Sequence, residues 1–362
     1  MHASNGRESG TFADQVNRLH VDFVRQGLSI SDMRRAQSLE LGNLSTPDLK
    51  RRSGSGTEGI EPMEGPIEAR LVPPPVAGES QIRFFLDGAQ RTLPCWRIGL
   101  IPINAVIVAA AILRRDEDGQ CEIMPGTLRL QNVWLIPKKL PHPHLRELVS
   151  RIEDQGGTIV DPLKKYEDDE ELYREYASDY GRLVEFAYQA ANGCREAIET
   201  DLLERWGDEQ NDQADGGWIV VDGRLRRPVD RALGLVKQFT ESFLAGSDAE
   251  ILLGLQPGHR TTAFFPGDRF RGGPAPEAFT LWYLRLWDAA GLDARHALVR
   301  IEACQTVRET GQIDQLSAWL MAERTPRATA DARWASLLYP VHFLERILKR
   351  RLEADTRGWP SP

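Results

Sequence analysis

An α/β fold, a mixed sheet with flanking helices, is the class this sequence predicts. Three observations carry it. Three apolar, strand-like segments follow one another between residues 82 and 137, as in an antiparallel meander. A long stretch of helical periodicity separates them from a further strand, WIVVDGRL at 218–225. Beyond it, apolar runs of both kinds alternate up to residue 352 without an internal repeat, a pattern that buries a sheet under helices.

Ahead of the sheet, Phe12, Val16, Leu19 and Phe23 recur at helical spacing, predicting one or two amphipathic helices within 13–40. Residues 45–80, with RRSGSGTEGIEPMEG and VPPPVAGES, are rich in Pro, Gly, Ser and Glu and predict a linker or long loop. Residues 1–80 are therefore expected to stand apart from a domain at 81–352, with 353–362 as a tail. Exposed amphipathic helices on such a linker suit docking to a partner. Within the domain, IRFFLDG, CWRIGLIPINAVIVAAAILRR and EIMPGTLRLQNVWLIP are the strands of the meander. Residues 143–156 and 168–207 predict helices, the second opening on EDDEELYRE and closing in a loop, RWGDEQNDQADGG. ALGLVKQFTESFL reads as a strand or a strand-to-helix passage, and 277–289, 296–304 and 338–352 complete the alternation.

Composition narrows the possibilities. A chain of 362 residues, 41% hydrophobic and 27% charged, can bury a core in one large domain or two ordinary ones. The net charge, 45 − 53 = −8, gives no global attraction to nucleic acid, although a basic groove can exist on an acidic protein. Cys95, Cys121, Cys194 and Cys304 lie far apart with no CxxC, against a zinc ribbon or a disulfide framework and in keeping with a reducing cytosol. The N-terminus lacks a signal-peptide core, and the longest apolar run, AVIVAAAIL at 105–113, is too short to span a bilayer. A soluble cytoplasmic protein is the expectation.

Twice an apolar run ends on Asp-Gly, at Asp87 and at Asp222. Taken singly, each is a hairpin signal, because Gly accepts positive φ and Asp caps the turn. Taken together, two carboxylates at equivalent ends of neighbouring core strands converge, repel and call for a cation. Carboxylate oxygens suit hard ions such as Mg²⁺ or Mn²⁺, and such a pair is the skeleton of a metal-dependent phosphodiesterase centre. Lys237 lies inside the apolar run LGLVKQF, where a lysine needs a partner, and a scissile phosphate would serve. His342, at the start of the apolar helix LYPVHFLERIL, reads on its own as a packed core residue.

In order, IRFFLDGAQ, WIVVDGRL, LGLVKQF, WYLRL and YPVH resemble the NurA nuclease family across roughly residues 80–345. The family's first motif usually reads DGS; here Ala89 replaces the serine, and residues 1–80 carry no family motif. The resemblance implies an RNase H-like fold, a homodimer with a central channel, and Mn²⁺-dependent (or Mg²⁺-dependent) degradation of DNA. It implies work with a HerA-like hexameric ATPase in DNA end processing, with 5′-to-3′ resection expected, or in antiviral defence. It also implies Asp87 and Asp222 as metal ligands, with a further acid on the helix before the second Asp-Gly strand. His342 would be a remaining ligand or proton shuttle, and Lys237 would stabilise charge on the phosphate. The helix CREAIETDLLERW offers Glu199 and Glu204. Glu199 is favoured because Leu202, Leu203 and Trp206 follow it at i+3, i+4 and i+7, whereas Glu204 lies near Thr200, Asp201 and Asp208 on the solvent side. The expected chemistry is two-metal hydrolysis, with Asp87 bridging the ions.

Arg224 heads a basic run with Arg226, Arg227 and Arg231, while Arg260, Arg269 and Arg271 surround the aromatic pair of HRTTAFFPGDRFRGG. Both stretches suit single-strand contacts, and both are equally read as solvated basic loops. His142 and His144 have HxH spacing between prolines and read as a loop. No GxxxxGK[ST] motif occurs, so any translocation requires a separate ATPase. Three functions stay open: a metal-dependent DNA nuclease, a non-catalytic dimeric adaptor of a HerA-like ring, and a nuclease acting on RNA.

Overall fold

The structure, a computed structural model, describes residues 11–25, 33–35, 59–76, 78–211, 216–237, 242–267, 278–289, 292–324, 336 and 338–357. The elements run in chain order as α1 (Phe12–Arg25), β1 (Met33–Arg35), β2 (Glu61–Pro62), β3 (Ala69–Leu71), β4 (Ile82–Ile98), β5 (Ile101–Arg115), β6 (Cys121–Ile123) and β7 (Arg129–Leu135). There follow α2 (Pro143–Asp154), β8 (Thr158–Val160), α3 (Glu170–Ala177), α4 (Tyr180–Asn211), β9 (Trp218–Asp222), β10 (Ala232–Val236) and α5 (Ser247–Leu253). The last are β11 (His259–Thr261), β12 (Phe264–Phe265), β13 (Phe279–Arg285), β14 (Leu298–Cys304), α6 (Thr310–Glu323) and α7 (Tyr339–Asp355).

The centre of the molecule follows from β5. A strand without polar alternation has to be covered on both faces, and every residue from Ile101 to Leu113 is buried. The expected meander is present: β4 pairs antiparallel with β5, and β5 with β7. Its first strand is longer than the sequence suggests, because CWRI belongs to β4 and the reversal falls at Gly99–Leu100. On the other side of β4, β9 and then β10 add in parallel. Antiparallel β14 and β13 extend the sheet beyond β10. The main path through the mixed sheet is β2-β12-β13-β14-β10-β9-β4-β5-β7-β8.

Alternation along β4 sorts its two faces. Phe84 and Leu86 pack with Leu202, Leu203 and Trp206 of α4. Phe85 and Ala89 share a cluster with Val341, Leu344 and Leu348 of α7. The long helix therefore covers one face of the central strands and the C-terminal helix the other.

Two expectations for residues 1–80 are corrected. α1 is no exposed arm: Phe12, Ala13, Val16 and Leu19 are buried, and Phe12 meets Trp134 edge-on at 5.4 Å. Trp134 itself stacks on Trp96 at 5.6 Å, so the helix caps an aromatic layer of the meander. Part of the expected linker is sheet, since β2 pairs with β12 and β3 with β11. The buried Arg260 explains it: Glu64 is drawn in as its partner, and the backbone on either side of Glu64 follows. The predicted helix at 168–207 is two helices, α3 and α4, broken at Ser178–Asp179. No helix among the described residues is long and apolar enough to cross a membrane.

Candidate functional site

Asp87 does not cap a turn. β4 runs through it and through Gly88, which lie opposite Ala111 and Ala110 of β5. Gly accepts extended backbone as readily as a turn, and the residues that follow, Ala89 to Thr92, pair across the ladder with the buried apolar run Val106–Ala109 of β5, so pairing wins over reversal. The second Asp-Gly does leave the strand: β9 ends on Asp222 and Gly223 bends away at φ +130°, its N–H donating across to the Leu235 carbonyl of β10 at 3.0 Å.

Register brings the two aspartates together. Leu86 pairs with Val221, so Asp222 falls one step further on, beside Asp87. Leu235 of β10 pairs with Asp222, and Lys237 follows two residues later. The Lys237 Nζ donates to Asp222 Oδ2 at 2.7 Å. Asp87 is 5% exposed and accepts from the Gly88 N–H at 2.8 Å. Burial holds its carboxyl well above the usual carboxylate range, and the adjacent charge of Asp222 pushes the same way. Lys237 opposes this rise, while Glu199 and Glu345 add to it. Asp87, Asp222, Lys237, Glu199 and Glu345 thus share one electrostatic neighbourhood.

The acidic residues approach from two sides. By the alternation of β4, Asp87 belongs to the face covered by α7 and Gly88 to the face covered by α4. Glu199, on α4, is 8% exposed and lies over Gly88. A Cβ at residue 88 would overlap Glu199 Oε1 and come within 2.9 Å of Arg195 Cγ, so only glycine lets the carboxylate sit against the strand. Arg195, one turn earlier, donates to Glu199 Oε1 at 2.6 Å. Burial nevertheless pushes the Glu199 carboxyl up to about 7, with Arg195 pulling it down and Glu196 and Asp222 raising it. Of the two glutamates offered by the helix, Glu199 is the buried one, and Leu202, Leu203 and Trp206 are buried with it. Glu204 is exposed and pairs with Arg227 at 3.3 Å.

His342 is in the first turn of α7, with Nδ1 at 3.8 Å from Glu345 Oε2. Glu345, half-buried, is held below its ordinary pKa although burial works the other way; Lys349, Lys237 and His342 lower it. Lys349 approaches it to 2.6 Å. Sequence reasoning missed Glu345 and Arg195. Both had a signal, since Glu345 is i+3 from His342 and Arg195 is i−4 from Glu199, each on the same flank of its helix.

The basic residues fare differently. Arg224 follows Asp222 and is half-buried, its Nε 3.9 Å from Glu302 Oε1, and burial holds its guanidinium below the ordinary value. Arg226 pairs with Glu196, so this run ties the strand end to α4. Arg260 is fully buried: it grips Glu64 at 2.7 and 2.8 Å and Asp314 at 2.6 Å. It is therefore a strut of the core and no contact for nucleic acid. Its sequence setting misleads because a guanidinium with two carboxylate partners can be buried where a lone one cannot. Arg269 and Arg271 lie outside the described residues. His142 caps the start of α2 and His144 lies inside it, their rings 5.5 Å apart, so the pair sits at a helix start and not in the expected loop.

By type, the donors fit a hard divalent cation: Asp87 is buried beside Asp222, and the two like charges face a single nearby ammonium, Lys237. In the present arrangement Lys237 engages Asp222 and Arg195 engages Glu199. Among the described residues no group of three or more His, Cys, Asp or Glu is gathered for a metal ion. No protein-family model matches the chain, and no curated protein matches it.

Proposed function

We propose that the chain is a metal-dependent deoxyribonuclease whose centre is Asp87, Asp222 and Lys237, with Glu199 and α7 flanking it. One observation carries this reading: two carboxylates meet at the junction of parallel β4 and β9, with a lysine from just beyond β10 bonded to Asp222. A buried carboxylate beside a second one is costly, and perturbed acids of this kind cluster at functional sites. The strand order β7-β5-β4-β9-β10, an antiparallel meander extended by two parallel strands with α4 crossing between, supports an RNase H-like core.

Asp87 and Asp222 would hold Mn²⁺ or Mg²⁺, with Glu199 against Gly88 on the other face of the same strand adding negative charge to the neighbourhood. Such an ion supplies an acidified water and neutralises charge on the phosphate. Lys237, released from Asp222, would pair with a non-bridging phosphate oxygen, where charge grows as the diester is attacked. His342, oriented by Glu345, would hand a proton to the departing 3′ oxygen. A HerA-like ring ATPase and a second copy of the chain complete the proposed assembly, in DNA end processing or antiviral defence. A non-catalytic adaptor is the second reading. It is favoured by the ion pairs that already neutralise Asp222 and Glu199.

The deciding experiment is cleavage of labelled linear double- and single-stranded DNA, and of RNA, with Mn²⁺, Mg²⁺ or EDTA. Wild type and Asp222→Asn are compared with and without a ring ATPase. Metal-dependent cleavage that Asp222→Asn abolishes supports the nuclease. Absence of cleavage in every combination selects the adaptor. Cleavage of RNA alone transfers the mechanism to the other substrate.

A further inference from the structure

α7 has a second polar face that the centre does not use. Tyr339, Phe343, Arg346 and Arg350 follow one another at helical spacing, and all four are exposed. An α-helix of 3.6 residues per turn aligns these positions in one stripe. Tyr339 and Phe343 are 58% and 36% exposed, unusual for aromatic rings in a helix whose Val341, Leu344 and Leu348 are buried. Lys349 and Arg351 flank the stripe, so four cations fall within the six residues Arg346 to Arg351 of a chain whose net charge is −8. Lys349 and Arg351 have acidic partners, Glu345 and Asp355. Arg346 and Arg350 pair with no acidic side chain among the described residues. The adjacent flank of the same helix carries His342 and Glu345, and Glu345 lies within electrostatic reach of Asp87.

We infer that the stripe Tyr339–Phe343–Arg346–Arg350 is a binding track for single-stranded nucleic acid that delivers the strand to the acidic centre. Exposed rings offer faces on which bases stack whatever their identity, and guanidiniums without internal acids offer charge to phosphates. The two kinds of group succeed one another along the helix, aromatic at the end nearest His342 and cationic beyond it. This order suits a strand whose backbone is held by the arginines and whose next bases stack on the rings, so that the phosphate beyond them reaches the centre. The inference rests on the nuclease reading only for the fate of the strand; binding is measured without cleavage.

The test uses full-length Asp222→Asn in EDTA, titrated into fluorescein-labelled oligothymidylate and oligouridylate and followed by anisotropy over a range of salt. Tyr339→Ala/Phe343→Ala is expected to weaken binding at least about tenfold, the effect of removing the stacking platform. Arg346→Ala/Arg350→Ala is expected to weaken it similarly and to reduce the salt slope by roughly 1.4, about 0.7 for each phosphate no longer neutralised. Lysine at both arginine positions should restore the slope, and Arg174→Ala, on a remote helix, should change nothing. Equal affinity of the stripe variants and their parent would overturn the track and leave the nuclease reading intact. So would an absence of binding by the parent. A change in oligomeric mass in place of affinity would make the stripe a contact between copies, and binding to anionic vesicles but not to oligonucleotides would make it a membrane face; either result rejects the inference. Loss of cleavage in Asp222→Asn is scored separately, so the two readings fail independently.

Discussion

Gly88 sets the terms of the centre at the scale of one residue. A methyl group there collides with Glu199 Oε1, so Gly88→Ala forces the glutamate and Arg195 away from the strand. We expect about a 10²-fold loss of cleavage, the cost of misplacing a catalytic group by about an ångström, with the fold retained by circular dichroism. Wild-type rates in Gly88→Ala would remove Glu199 from the mechanism. The buried acids also make stability depend on pH. Glu199 has a folded pKa of about 7, above the ordinary carboxylate value, because burial disfavours its charge. The folded state therefore holds a proton that the unfolded chain has already released. The stabilising effect of that proton is complete below the unfolded pKa and lost as pH rises through the folded value. The loss is of order 3 kcal/mol for a shift of this size. In EDTA, melting temperature should fall between about pH 5 and pH 8, and Glu199→Gln should flatten that fall. An unchanged slope in Glu199→Gln would assign the pH dependence to other groups.

Helices and strands supply what single residues cannot. α7 brings His342 and Glu345 against the sheet on one flank while its apolar flank is buried. Glu345→Gln should lower cleavage about 10- to 100-fold, as loss of a supporting partner does. It should also change the shape of the pH–rate profile, a change that a purely structural role would not produce. The β2–β3 segment is joined to β11, β12 and α6 through Arg260, whose partners Glu64 and Asp314 come from either side of it. Arg260→Ala leaves Glu64 buried without its cation, and denaturant unfolding should show a loss of about 3–5 kcal/mol. A loss below about 1 kcal/mol would mean that water replaces the guanidinium.

For the whole molecule, the two readings differ in their response to metal. A ligand that binds only the folded chain stabilises it by about 2.7 kcal/mol at a concentration of 100 times its dissociation constant. Mn²⁺ should therefore raise the melting temperature, and Asp87→Asn/Asp222→Asn should abolish the rise. An adaptor that has settled into internal ion pairs would show no rise in either form. Deleting α1 to look for loss of ring-ATPase binding would be uninformative, since Phe12, Val16 and Leu19 are part of the core and the deletion would expose Trp134.

By itself the sequence determined the α/β class, the antiparallel meander, the apolar runs that lead into the two Asp-Gly pairs, and that Glu199 and not Glu204 lies on the buried side of its helix. All of these rest on local periodicity, which a chain displays without knowing its neighbours. The tertiary structure decided the rest. Whether Asp-Gly turns depends on a partner strand across the ladder, so Asp87 stays in β4 while Asp222 ends β9. Burial of Arg260 depends on Glu64, almost two hundred residues away in the chain. Glu345 meets the charges of Lys237 and Asp87 from the sheet, neighbours that no helical period can indicate. Pattern reports which face of an element is apolar; only the packed sheet determines which charges are buried against each other, because electrostatic neighbours are set by distance through space and not along the chain.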